Sequence, residues 1–389
     1  MAAYWRGFNV PQGGRCMGLV TALKFNSHAG ALVSDEEMWS IRFRRKMYLD
    51  NLHSLIESDI SDALQLEVAI GGAGYPSLLF EMVEGTRREV RRLFQQAQQN
   101  PMACAVRTVQ DVGKIALAQM HKAIRRRLDL RMKFFYGFDS ADLMRGFYEV
   151  DGVRVDIKQE AIKSGAKRTG EGNDGSRVIK PLLETTAALF GYDRDSGFTG
   201  YYLDAKHGIM AYNHEGWEAI GKGKYISGAS LARWLNRQSN PRRKAGYAPA
   251  EGLFQLLRAG LDAADLSHQA NPDLHIVLID GSKATHAERY REVEDDVGRQ
   301  ACEIVRVEMA GFIAEADAQD LIDRLVFQGE SPVNVEQRLR RKAAHPELLS
   351  FLFRGYKQDD LAGLCADLNA LKTEAASSRA DSAPGKEGE

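Results

Sequence analysis

Leu19–Asp35 reads LVTALKFNSHAGALVSD. Two short apolar runs flank a polar Asn26-Ser27-His28-Ala29-Gly30 turn, which is the pattern of a β-hairpin. A basic cluster, Arg44-Arg45-Lys46, follows. A third strand over Glu67–Ile70 runs into Gly71-Gly72-Ala73-Gly74 and then into an amphipathic helix that begins near Pro76. Far downstream, residues 188–223 read ALFGYDRDSGFTGYYLDAKHGIMAYNHEGWEAIGKG. That stretch predicts successive strands joined by Gly- and Asp-containing turns, followed by another helix.

Working outward, Leu78, Leu79, Met82, Val83, Val90 and Leu93 recur at helical spacing, as do Val109, Val112, Ile115, Ala116, Met120 and Ile124, so two helices with buried stripes follow the GGAG segment. FYEVDGVRVDI (147–157) places Asp151-Gly152 between alternating runs, a hairpin signal. KSGAKRTGEGNDGS (163–176) reads as a loop. Helices are expected at 226–237 and 249–266, with a short buried strand at His275–Asp280 from the HIVLID run. From Gly281 to Lys372 the apolar residues, Leu321, Leu325, Leu339, Leu348, Leu352, Leu361 and Leu368 among them, recur at helical spacing. The last stretch, AASSRADSAPGKEGE, is small and polar and reads as disordered.

With 52 basic and 53 acidic residues the chain has a formal net charge of −1, so no bulk electrostatic pull toward nucleic acid or anionic membrane is expected. The basic runs at Arg125–Arg127, Arg242–Lys244 and Arg338–Lys342 lie on or beside predicted helices and read as solvated faces. Cys16, Cys104, Cys302 and Cys365 show no CxxC spacing, which argues against a disulfide framework or a zinc site and suits a reducing compartment. The N-terminus has no apolar h-region and no stretch is long enough to span a bilayer, so the expected location is cytoplasmic. The histidines show no metal-ligand pairing, and neither cofactor nor metal is expected.

The ordered set TALKF, GALVSD, RRKM, VAIGGAG with its helix, ALFGYD, GYYLD and AIGKG with its helix resembles the proteasome β-subunit family of the N-terminal-nucleophile (Ntn) hydrolases. The likeness covers roughly residues 19–280, interrupted near 130–183. It implies an α+β fold, a four-layer αββα sandwich, with C-terminal helices as an addition. The implied organisation is a leader at 1–15, a proteasome-like domain at 16–280 with an insertion at about 130–183, a helical extension at 281–372 and a disordered tail at 373–389.

The same resemblance supplies the expected chemistry. In such enzymes the first residue of the mature chain is the nucleophile and its own α-amine the base, because that amine titrates near neutrality. Asp35, closing the second strand, matches the orienting carboxylate. Lys46 in RRKM matches the lysine that lowers the local pKa, although the stretch from Asp35 is several residues short. Gly71 matches the glycine whose N–H forms the oxyanion hole.

Aligning TALKF puts Gly18 at the nucleophile position, where the family carries Thr. Cys16, after Gly13-Gly14-Arg15, is the candidate nucleophile if the hairpin is longer. Thr21 has the right type inside the strand, and the third alternative is no nucleophile. Lys222 stands where a supporting Ser is usual. The activity this implies is self-processing peptide or amide hydrolysis, and the alternative is a catalytically silent subunit used for assembly or partner binding. The implied partners are a peptide or protein substrate and a homo-oligomeric ring or other proteasome-like subunits, with no nucleic acid and no membrane.

Overall fold

The N-terminal hairpin forms as its sequence dictates. In a computed structural model, β1 (Leu19–Lys24) and β2 (Ala29–Asp35) pair antiparallel with Leu23 opposite Ala31. Asn26 closes the turn, its Oδ1 accepting from the backbone N–H groups of His28 and Ala29 at 2.8 and 2.9 Å. Local capture of two N–H groups by one Asn side chain is what makes this residue type favour turns. The structure describes residues 18–35, 37–40, 45–48, 51–100, 106–157, 183–211, 216–266 and 274–353. Cys16, the 163–176 loop and the small polar tail lie outside them.

The chain divides into two compact units, Met1–Gly298 and Arg299–Glu389. In the first, β3 (Glu37–Ser40) and β4 (Arg45–Tyr48) make a separate two-stranded sheet. Then come β5 (Leu52–Ser54), α1 (Ser58–Leu64), β6 (Glu67–Ala73), α2 (Pro76–Gln99), α3 (Val109–Tyr136) and α4 (Ser140–Arg145). A hairpin of β7 (Phe147–Val150) and β8 (Val153–Asp156) follows, turned by Asp151 and Gly152 at φ 53° and 79°. Both central residues at positive φ give the twist that a two-residue hairpin turn needs.

Next are β9 (Thr186–Asp193), β10 (Gly197–Asp204), β11 (Gly208–Ala211), β12 (Trp217–Gly221), α5 (Lys224–Arg237), α6 (Asn240–Ala245), α7 (Pro249–Leu266) and β13 (Leu274–Asp280). The expectation of helix alone beyond Asp280 is corrected. After α8 (His286–Arg289), the short β14 (Tyr290–Glu292) returns to pair with β13, Val277 opposite Glu292. Three residues are too few for alternation to register in sequence.

The strands form two five-stranded sheets, ordered β12-β1-β2-β13-β14 and β11-β10-β9-β6-β5, with every pairing antiparallel. This is a mixed α/β protein with antiparallel sheets. Val20, Ala22, Leu32, Ile220 and Val277 of the first sheet share one buried cluster with Ala69, Ala188, Phe190 and Phe198 of the second. Full burial of each large apolar side chain there contributes about 1.5–3 kcal/mol. Gly71 is required by this contact, since a Cβ on it would meet Val20 Cγ1 at 2.6 Å and a Leu52 methyl at 2.8 Å.

The other face of the second sheet, through Val68, Ile70, Leu189 and Leu203, packs on the apolar stripes of α2 and α3. On the first sheet, α7 lies against β1 and β2, and α5 against α7 and β12. The two helices after β6 are the ones that the spacing predicts, but α3 runs on to Tyr136, seven residues past Asp129 and into the stretch read as an interruption.

The second unit is described over 299–353. It takes in the end of α9 (Asp295–Met309), then α10 (Glu315–Ile322) continued by a π-turn at Asp323–Phe327, α11 (Pro332–Lys342) and α12 (Leu349–Phe353). Ser331 caps α11, accepting from Asn334 N–H at 3.4 Å. Leu321, Ile322, Leu325, Val335 and Leu339 are buried. Among the described residues no helix is long and apolar enough to cross a membrane.

Candidate functional site

One row of residues crosses the first sheet at its end: Gly221 opposite Leu19, Leu19 level with Asp35, and Asp35 opposite Leu274. Asp35 is fully buried at the last position of β2. Its Oδ1 accepts the backbone N–H of Leu19 at 2.6 Å, and its main-chain oxygen accepts from Asn51 Nδ2 at 2.8 Å. The carboxylate therefore fastens the first residue of β1 to the end of β2. A charge-assisted bond to a backbone N–H is stronger than a neutral one.

Gly18 precedes that row. A Cβ there would lie 2.8 Å from Asn51 Nδ2 and 3.5 Å from Asp35 Oδ1. On the other flank Gly221, at φ 88°, comes so close that a Cβ would overlap the carbonyl oxygen of Gly18 at 1.8 Å. Gly223, at φ 87°, opens α5. The GKG segment thus has two conformational reasons for its glycines, close approach and positive φ. Lys222, between them, is half-buried and directly follows the residue paired with Leu19.

The remaining sequence candidates fall as follows. Gly71 lies within β6, paired with Leu52 and Ala188, and the strand continues to Ala73. The turn expected at Gly71 begins instead at Gly74, at φ 131°, because the gap between the sheets admits glycine as a strand residue. Lys46 has its backbone in β4, opposite Trp39. Its side chain, like all of Cys16, lies outside the described residues. Thr21 is buried and shares a 2.8 Å hydroxyl–hydroxyl bond with Ser227 of α5, so its oxygen is tied into the helix layer. Around this end of the sheet stand the Asp35 carboxylate, the Asn51 amide and the glycines at 18 and 221.

Two further groupings were not legible as sites. At the edge where β12 faces the second sheet, burial pushes the Glu218 carboxyl pKa up. Burial, with the nearby Asp204 carboxylate, pushes the Tyr202 phenol up to about 12. At the other end, Glu67 of β6 and Arg289 of α8 are both fully buried and 3.1 Å apart. Ser61 and Asp62 of α1 accept from the same guanidinium at 2.9 and 2.8 Å, and His286 Nδ1 lies 3.0 Å from both Glu67 oxygens. No group of side chains suited to a metal ion occurs among the described residues.

No protein-family model matches the sequence, and no curated protein matches it. Among solved structures, the chain is similar to Anbu (ancestral beta-subunit) from Yersinia bercovieri, at 11% identity over 75% of this chain and 93% of that chain, with a TM-score of 0.46.

Proposed function

We propose that this chain is a proteasome-like subunit, built as a four-layer αββα sandwich, that serves assembly or partner binding and does not hydrolyse peptide bonds. The ordered sequence resemblance supports the family, and the two face-to-face sheets, each backed by a helix pair, support the layering. The observation that carries the silent reading is the Leu19–Asp35 bond. Where an Ntn enzyme needs a terminal amine bearing a nucleophilic side chain, the carboxylate holds an ordinary peptide N–H, whose nitrogen has no basic lone pair. The residue before it is a glycine whose side-chain space faces the Asn51 amide.

A second reading keeps Cys16 as the nucleophile of a self-processing peptidase or amidohydrolase. It is favoured by the placement of buried Asp35 against the start of β1, close in sequence to Cys16. The intact mass of the purified full chain separates the two. The silent subunit retains its first 15 residues, apart from removal of Met1, and Cys16 reacts with iodoacetamide no faster than Cys104 or Cys365. Loss of residues 1–15 that Cys16→Ala abolishes would overturn the silent reading and establish the second.

A further inference from the structure

Six of the exposed large apolar side chains fall within residues 130–155: Leu130, Phe134, Met144, Val150, Val153 and Val155. Exposed large apolar side chains gathered in this way are what an association surface presents. The three valines share a face of the β7–β8 hairpin with Tyr148, because Tyr148 pairs with Val155 and Val150 with Val153. Tyr148 is anchored, its ring 5.6 Å from Phe138.

The hairpin is a sheet of two strands, and among the described residues no third strand joins it. A two-stranded hairpin alone is marginal in water. Its hydrogen-bond phase is fixed by Ile157 N–H donating to Gly146 O at 2.8 Å. Counting in steps of two, the pairs 148/155 and 150/153 are the bonded ones, so the backbone groups of Arg154 and Asp156 point away from β7. We propose that this outer edge of β8 pairs antiparallel with the same edge of a second copy of the chain.

Stereochemistry leaves one register that satisfies backbone and charge together. With Val155 on the two-fold axis, Arg154 faces Asp156 of the second copy, and each of these two pairs exchanges two backbone hydrogen bonds. Paired residues then stay on matching faces, as an antiparallel sheet requires. Arg154 and Asp156 already form a 3.0 Å ion pair within the strand, on the face opposite the valines. An edge guarded against association carries like charges or proline. This one carries opposite charges two residues apart, which are self-complementary under two-fold symmetry. The valine face becomes a continuous apolar strip across four strands. The proposal is independent of the catalytic question, since no residue of the Asp35 row takes part.

The test is sedimentation and oxidative cross-linking of the full chain. Val155→Cys places two thiols in a non-bonded antiparallel pair, about 4.5 Å between Cα atoms, within disulfide reach, and is expected to give a dimer on a non-reducing gel. Val150→Cys on the outer strand lies about three strand spacings across the sheet and about four residues along it from its copy, roughly 20 Å in all, and is expected to give none beyond wild type. Arg154→Asp is expected to weaken dimerisation about tenfold, and Arg154→Asp with Asp156→Arg to restore it, which also shows that the hairpin still folds. A monomeric wild type at tens of micromolar, or Val155→Cys cross-linking no better than Val150→Cys, would overturn the proposal.

Discussion

Arg289→Met tests the claim that a buried ionic network holds the α8–β14 segment against α1 and β6. The guanidinium is fully buried and its N–H groups reach Glu67, Ser61, Asp62 and the carbonyls of Lys283 and Ala284. Removing it strands the Glu67 carboxylate, also fully buried, with only the Ser61 hydroxyl and His286 as partners. Breaking one side of such a pair costs about 3–5 kcal/mol, or roughly 10 °C in midpoint for a unit of this size. Glu67→Gln alone is expected to cost less, because Arg289 keeps Asp62 at 2.8 Å, a carboxylate that is half exposed. Adding Glu67→Gln to Arg289→Met is expected to recover at least about 1 kcal/mol, since a neutral amide replaces a buried anion. Urea titration followed by tryptophan fluorescence reads the right unit, because all four tryptophans, at 5, 39, 217 and 234, lie before residue 299. A loss below about 1 kcal/mol for Arg289→Met, or a coupling energy near zero between the two sites, would refute the reasoning.

Two smaller perturbations probe the row and the sheet edge. Gly18→Ala is expected to cost about 1 kcal/mol, because its Cβ displaces the Asn51 amide from its 2.8 Å bond to Asp35 O; in an Asn51→Ala background the same change is expected to be nearly neutral, and a double-mutant cycle of urea midpoints checks it. Glu218, whose pKa burial raises above 4.5 in the folded chain, binds its proton more tightly folded than unfolded, so its effect on stability is most favourable below pH 4.5 and is lost as pH rises through the folded value. Glu218→Gln is therefore expected to raise the melting temperature at pH 7 while leaving it nearly unchanged at pH 4, and equal shifts at both pH values would contradict the burial argument.

The local structure was legible wherever a residue type acts on its own backbone or on a helix turn. Asn26 announced its turn, Asp151-Gly152 its hairpin, and the spacing from Leu78 to Ile124 the two helices that cover the second sheet. The Glu67–Arg289 network was not legible. Its members are 222 positions apart and each is an ordinary charged residue in its own segment. Gly71 was legible as a glycine that matters but for a different reason, because its place depends on how near Val20 of the opposite sheet comes. Asp35 was found from the strand-end position, whereas its partner, the Leu19 N–H, follows only from the pairing register.

That register also bears on how Cys16 could ever reach Asp35. β1 alternates strictly: Val20 and Ala22 enter the space between the sheets, while Thr21 meets Ser227 of α5 on the helix side. Bringing residue 16 level with Asp35 by sliding β1 means a shift of three positions, from Leu19 to Cys16. An odd shift turns every side chain to the opposite face, so the Thr21 hydroxyl would lose its partner and valine and alanine would trade places with leucine. The cost would be spread over a strand in which Leu19, Val20, Ala22 and Leu23 are all fully covered. The register that would need no such slide keeps Leu19 level with Asp35 and the Asn51 amide beside Gly18. On the silent reading proposed above, the Asn51–Asp35 bond stands in an unprocessed chain, and the intact mass of the full chain is the measurement that decides it.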